Sequence, residues 1–255
     1  MRAILTVTAL FLIAALVWAL HAPLASYGAA SRIATPDADA QALSRELRRA
    51  GSGATLALRW GVAQDAPRRR AYCARLLALA GDRNGDRVLL LLLREHGGAE
   101  LDTVGALAET FLLSVWAQRG GPPDAVRERA LRSDADPAVG MAGLSSLLEK
   151  YPAWSAGYAQ RARLSLRRGD ALDARRCALL ALAVEPANFE AMVALGQANL
   201  MLDSPTQALT CLDQAVRVNP RLKHSLQKEV HDILKALDRE RARRRLERRK
   251  EMPAV

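Results

Sequence analysis

The chain has 255 residues, half of them apolar but only 4% aromatic, and a net charge of +10. That length allows one buried core or one extended array of Ala- and Leu-packed helices. Three cysteines without a CxxC pair give neither a disulfide framework nor a zinc site, and no phosphate-loop, GxSxG or GxGxxG motif names a reaction.

Residues Ala3–Leu20 form an uncharged run. It approaches the ~20 apolar residues that cross a hydrocarbon core as a helix. It exceeds the ~7–15 residues of a signal-peptide core, and the best small-residue cleavage site, Gly28-Ala29-Ala30, lies far from it. A membrane anchor over residues 1–21 is therefore expected, with a cleaved signal as the alternative. Arg2 and the amino terminus precede the run, and the next basic residue is Arg32. That bias places the N-terminus in the cytoplasm and the remainder in the periplasm or outside the cell. The Ala- and Arg-rich composition fits a bacterial inner-membrane protein. Residues 22–38, rich in Ala, Pro and Ser, read as a tether.

Residues 39–120 read as irregular helical hairpins punctuated by Gly51, Gly81, Gly97-Gly98 and Gly120-Gly121. Helices are expected over Ala40–Ala50, Thr55–Gln64, Pro67–Ala80, Arg87–Glu95 and Ala99–Arg119. Val88–Leu93 is wholly apolar and Leu-rich, which favours a buried helix over a strand. Asp82-Arg83-Asn84-Gly85-Asp86 has the alternating oxygens of a calcium loop. It lacks the loop's glycine at position 6, which is Arg87, and its acid at position 12, which is Leu93. It reads instead as a capped Asn-Gly turn before a helix. Phe111, Leu112, Val115 and Trp116 share helical spacing and are expected to dock against the segment that follows, with Trp116 as a core residue. The histidines, His21, His96, His224 and His231, have no ligand spacing. No cofactor and no metal are expected.

From residue 121 onward the chain repeats. Pro152, Pro186 and Pro220 stand 34 residues apart; Ala174, Ala181 and Val184 recur as Ala208, Ala215 and Val218; Asp136, Asp170 and Ser204 fall in step. A fixed period of this length is the signature of stacked helix–turn–helix units. Small residues let two helices approach, and Pro stops the second helix because it lacks an N–H. Asp170 and Ser204 stand where an N-cap is needed, with Pro205 at a first helical position. The segments 155–188 and 189–222 resemble tetratricopeptide (TPR) repeats. Tyr158, Ala162, Ala174, Ala181 and Pro186 carry the resemblance in the first, and Leu195, Gly196, Ala208, Ala215 and Pro220 in the second. A degenerate copy spans 121–154. Ala162 stands where the family has Gly, and Ser165 and Asn199 where it has aromatics, so the repeats are divergent. Cys177 and Cys211 share one repeat position. Stacked helices lie ~8–10 Å apart, beyond disulfide reach, so both read as small packing residues.

The expected fold is all-α: a transmembrane helix, then an α-solenoid of helical hairpins ending in divergent TPR repeats and a capping helix. Leu226, Val230, Ile233, Leu234 and Leu237 give the cap its apolar face within residues 223–255. The basic tail follows, with Arg241, Arg243, Arg244, Arg245, Arg248, Arg249 and Lys250. No aromatic interleaves these residues, so a base-stacking platform is missing and nucleic acid is not the expected partner.

The resemblance implies that the first helices of successive repeats line a groove that receives a peptide or helix. Carried over, this puts Arg163 and Arg167, then Glu190 and Gln197, on the groove, with Gln160 as a further candidate. Ala156, Ala159 and Val193 replace the Lys/Asn set with which some relatives clamp a carboxylate. The expectation is a membrane-anchored, non-enzymatic adaptor that binds other proteins. The alternative is a cytoplasm-facing protein whose Arg-rich tail binds nucleic acid or anionic lipid.

Overall fold

A computed structural model describes residues 55–56, 58–63, 66–98, 102–131 and 137–251. Ala3–Leu20, Ala40–Ala50 and Asp136 lie outside them. No helix among the described residues is long and apolar enough to cross a membrane.

Among the described residues, short helical stretches at 55–56 and 58–63 precede ten helices: α1 Pro67–Leu79, α2 Arg83–His96, α3 Thr103–Gln118, α4 Asp124–Leu131, α5 Pro137–Lys150, α6 Ser155–Arg167, α7 Ala171–Val184, α8 Phe189–Met201, α9 Pro205–Val218 and α10 Leu222–Glu251. They fall into two units. One holds the residues up to Leu92 together with Ala106–Leu112; the other holds Leu93–Gly105 and everything from Leu113.

In the first unit, Asp82 accepts the Asn84 amide at 3.0 Å and so starts α2 at Arg83, earlier than expected. Asn84-Gly85 is therefore the first turn of a helix and not a turn preceding it. The reason is packing: a Cβ at Gly85 would lie 2.3 Å from the Ala74 carbonyl oxygen and 2.4 Å from the Ala78 nitrogen. Only glycine lets α1 and α2 cross with their backbones in contact. Within Val88–Leu93, Leu89, Leu92 and Leu93 are buried while Leu91 is exposed, the one-sided burial of a helix. Phe111 packs in this unit, 5.1 Å from the Tyr72 ring and beneath the Arg75 guanidinium at 4.7 Å.

The second unit contains the periodic part. The helices α5, α7 and α9 start at 137, 171 and 205, and α6 and α8 start at 155 and 189, all with the 34-residue period. α6 packs on α7 and α8 on α9 as antiparallel hairpins, and α8 also packs on α6 and α7. This is the TPR-like arrangement that the repeats implied. Ala162, Ala174, Ala181, Ala208 and Ala215 are fully buried, Leu195 is buried, and Tyr158 lies at the edge of the core. A Cβ at Gly196 would fall 2.8 Å from a Leu212 methyl, so α8 and α9 cross where glycine leaves room. Pro186 is exposed and Pro220 half-buried. They end helices and contribute little to the core.

One expectation is corrected. Ser204 precedes α9 without capping it; its hydroxyl donates to the Leu202 carbonyl at 3.3 Å. Trp116 is a core residue, and its ring meets Phe189 at 5.3 Å. The expected docking of Glu109–Arg119 on the degenerate copy is seen at Ala117, whose carbonyl accepts the Trp154 indole N–H at 2.8 Å.

Candidate functional site

The first helices α6, α8 and α10 follow one another through the second unit, and polar side chains connect them. Arg163 of α6 donates to Glu190 of α8 at 3.4 Å. Gln197, two turns further along α8, donates to Glu229 of α10 at 3.4 Å. The repeat geometry causes this: positions 163 and 197 are equivalent, so each first helix reaches the next from the same turn. The Arg163 side chain keeps 49% of its surface exposed and Glu190 30%. Pairs this wet contribute little to stability, and their charges remain open to a partner. Arg167 is exposed one turn beyond Arg163.

Gln160 differs from the expectation. It is only 1% exposed, because α6 is packed between α5 and α8 at this level. Its Oε1 accepts a hydrogen bond from Arg163, so it steadies the arginine from below and offers no surface of its own. Glu229 joins the strip without having been foreseen. The repeat register gave no signal for it, because Glu229 is equivalent to Leu195 and lies on a helix that read as a cap. The side chains of Arg241–Lys250 lie outside the described residues, while their backbone continues α10.

A half-buried polar network that periodicity could not show joins neighbouring helices. Asp173 of α7 accepts from Ser165 of α6 at 2.7 Å, from Arg161 at 3.3 Å and from Arg176. Arg161 also donates to Ser145 of α5 at 3.0 Å, so three helices share one charge cluster. Burial by itself would raise the Asp173 carboxyl. The hydrogen bonds from Arg176 and Ser165 and the charge of Arg161 outweigh it and hold the group down at about 2. Burial and the nearby Asp173 carboxylate push the Cys177 thiol up to about 11, so it is a packing residue and not a nucleophile. Among the described residues Cys73, Cys177 and Cys211 form no disulfide. A second set, which is buried, secures the hairpins: Asn188 caps α8 through the Ala191 amide at 3.1 Å and donates to Ser155 at 2.9 Å, and Ser155 donates to the Ala181 carbonyl. Arg119 pairs with the nearly buried Glu185 at 3.0 Å.

Among the described residues no group of His, Cys, Asp and Glu is arranged to hold a metal. The side chains of the strip pair charges and exchange hydrogen bonds.

No protein-family model matches the chain, and no curated protein matches it by sequence. Among solved structures it is similar to the TPR2AB-domain:pHSP90 complex of yeast Sti1, with 18% identity over 77% of this chain and 84% of that one, at a TM-score of 0.38.

Proposed function

We propose that the chain is an adaptor that holds a partner protein against the strip formed by Arg163, Arg167, Glu190 and Gln197, with Glu229 as a further member. The observation that carries this is the pair of cross-links, Arg163–Glu190 and Gln197–Glu229, which join successive first helices through an exposed arginine and half-buried polar partners. A peptide or helix laid across the strip would exchange wet intramolecular pairs for intermolecular ones, at small cost to the fold. In this reading Ala3–Leu20 anchors the chain in a bacterial inner membrane and residues 22–38 tether the repeats on the periplasmic side. The adaptor carries out no reaction of its own.

The test is site-specific photo-crosslinking in cells. A photoreactive side chain at Arg167 is expected to give discrete adducts with another protein. The same probe at Leu172, 69% exposed on α7, is expected to give none. Arg163→Glu combined with Glu190→Ala should abolish the Arg167 adducts while helical content by circular dichroism stays constant. Adducts of equal strength at both probe sites, or adducts indifferent to the double substitution, would remove the strip from the reading.

A further inference from the structure

The last helix departs from the repeat in one respect. Gly169 and Asp203, 34 residues apart, both take positive φ, 78° and 52°, and each turns the chain from a first helix into a second. Glycine adopts this conformation freely and aspartate tolerates it. The next equivalent position is Leu237, where a left-handed backbone costs ~1–2 kcal/mol. α10 accordingly runs through Leu237 without turning and continues to Glu251. No returning helix follows it among the described residues.

The surface that such a helix would cover stays open. Leu209, Leu212 and Val216 of α9 and Leu226, Val230 and Leu234 of α10 line a cavity of about 340 Å³. Val230 stands one period beyond Gly196 and two beyond Ala162. Gly196 is where α9 packs closely on its first helix, so the groove has the position of a helix-binding surface. Leu234 is 44% exposed along it. Lys223 lines the groove, and Lys228 and Lys235 lie exposed on the same helix as Glu229 and Asp232. Asp213, also on its edge, is engaged by Arg217 at 2.8 Å. The helix then leads into Arg239–Lys250, with eight basic residues against Glu240 and Glu247.

We propose that this groove between α9 and α10 receives an amphipathic helix with acidic flanks from a partner protein, in the place where the repeat would put its next second helix. A helix with apolar residues at i, i+3, i+4 and i+7 supplies the matching ridge. Acidic flanks complement the lysines and the arginine-rich extension. A second copy of the chain fits less well, because it brings the same charge of +10 and the same basic helix. The groove lies between α9 and α10, apart from the strip across the first helices, so the two readings stand or fall separately.

The experiment uses the purified full-length chain and two fluorescein-labelled synthetic helical peptides of ~14 residues, about four turns. Both carry leucines at the spacing above; one has glutamates on its flanks and the other lysines. The glutamate peptide is expected to bind at least about tenfold more tightly by fluorescence anisotropy, with an advantage that shrinks as salt rises. Leu234→Glu, at an already exposed position, should cost at least about tenfold in that affinity and leave the melting temperature unchanged. Lys223→Glu with Lys235→Glu should reverse the preference between the peptides. Equal binding of the two peptides, binding indifferent to Leu234→Glu, or no binding of either would overturn the proposal. So would a dimer in sedimentation that Leu234→Glu dissociates, because the groove would then belong to a second copy.

Discussion

Asp173 shows how much one residue holds in this fold. Its carboxylate receives bonds from Ser165, Arg161 and Arg176, and through Arg161 it reaches Ser145, so α5, α6 and α7 meet at one charge. Its folded pKa, about 2, lies below the ~3.9 of an unfolded aspartate. The stabilisation is therefore complete above pH ~4 and is lost as the pH falls from there toward 2. In urea titrations the wild type should lose ~2 kcal/mol more than Asp173→Asn across that window. Asp173→Asn should itself lower stability at pH 7, because Arg161 and Arg176 are left facing a neutral amide. Parallel acid limbs for the two proteins would mean that the network carries no such weight.

At the scale of the element, two helix starts that look alike in the repeat are built differently. Asp170 accepts the Asp173 amide at 3.0 Å and caps α7. Ser204, one period on, donates to the Leu202 carbonyl, and α9 begins on Pro205 without a side-chain cap. Proline at the first position has already removed one orphan N–H and set the helical φ. Asp170→Ala should cost ~1 kcal/mol and Ser204→Ala only a few tenths, measured by thermal or urea unfolding. Equal losses at the two sites would contradict the geometry. Much of this level was legible in the sequence. The 34-residue spacing of prolines and alanines sets where α7, α8 and α9 begin, since both residue types act locally, through a missing N–H or a small volume at a crossing. Whether Ser204 spends its hydroxyl on a cap or on a carbonyl two residues back was not legible, because either bond satisfies the same side chain.

For the whole molecule, the proposed placement of the chain is open to one direct measurement. A reporter active only outside the cytoplasm, fused at Val255, should be active, and the mature chain should keep the full 27.7 kDa mass. An active reporter on a shortened chain would retain the adaptor and replace the anchor by a cleaved signal. A reporter active only in the cytoplasm would overturn the periplasmic reading and turn attention to the basic tail, with anionic lipid or nucleic acid as its partner.

The sequence by itself determined the all-helical class, the period and the small residues at the helix crossings. These follow from spacing along one chain and from properties each residue carries alone. Tertiary structure decided what depends on neighbours distant in sequence. It buried Gln160 beneath Arg163, turned Phe111 toward Tyr72 while Trp116 met Phe189, and brought four polar side chains from three helices around Asp173. It also left α10 unturned beside an open groove. Leu237 reads as one more apolar residue in a helical stripe, and only the turns at Gly169 and Asp203 reveal that a left-handed residue was required at its position.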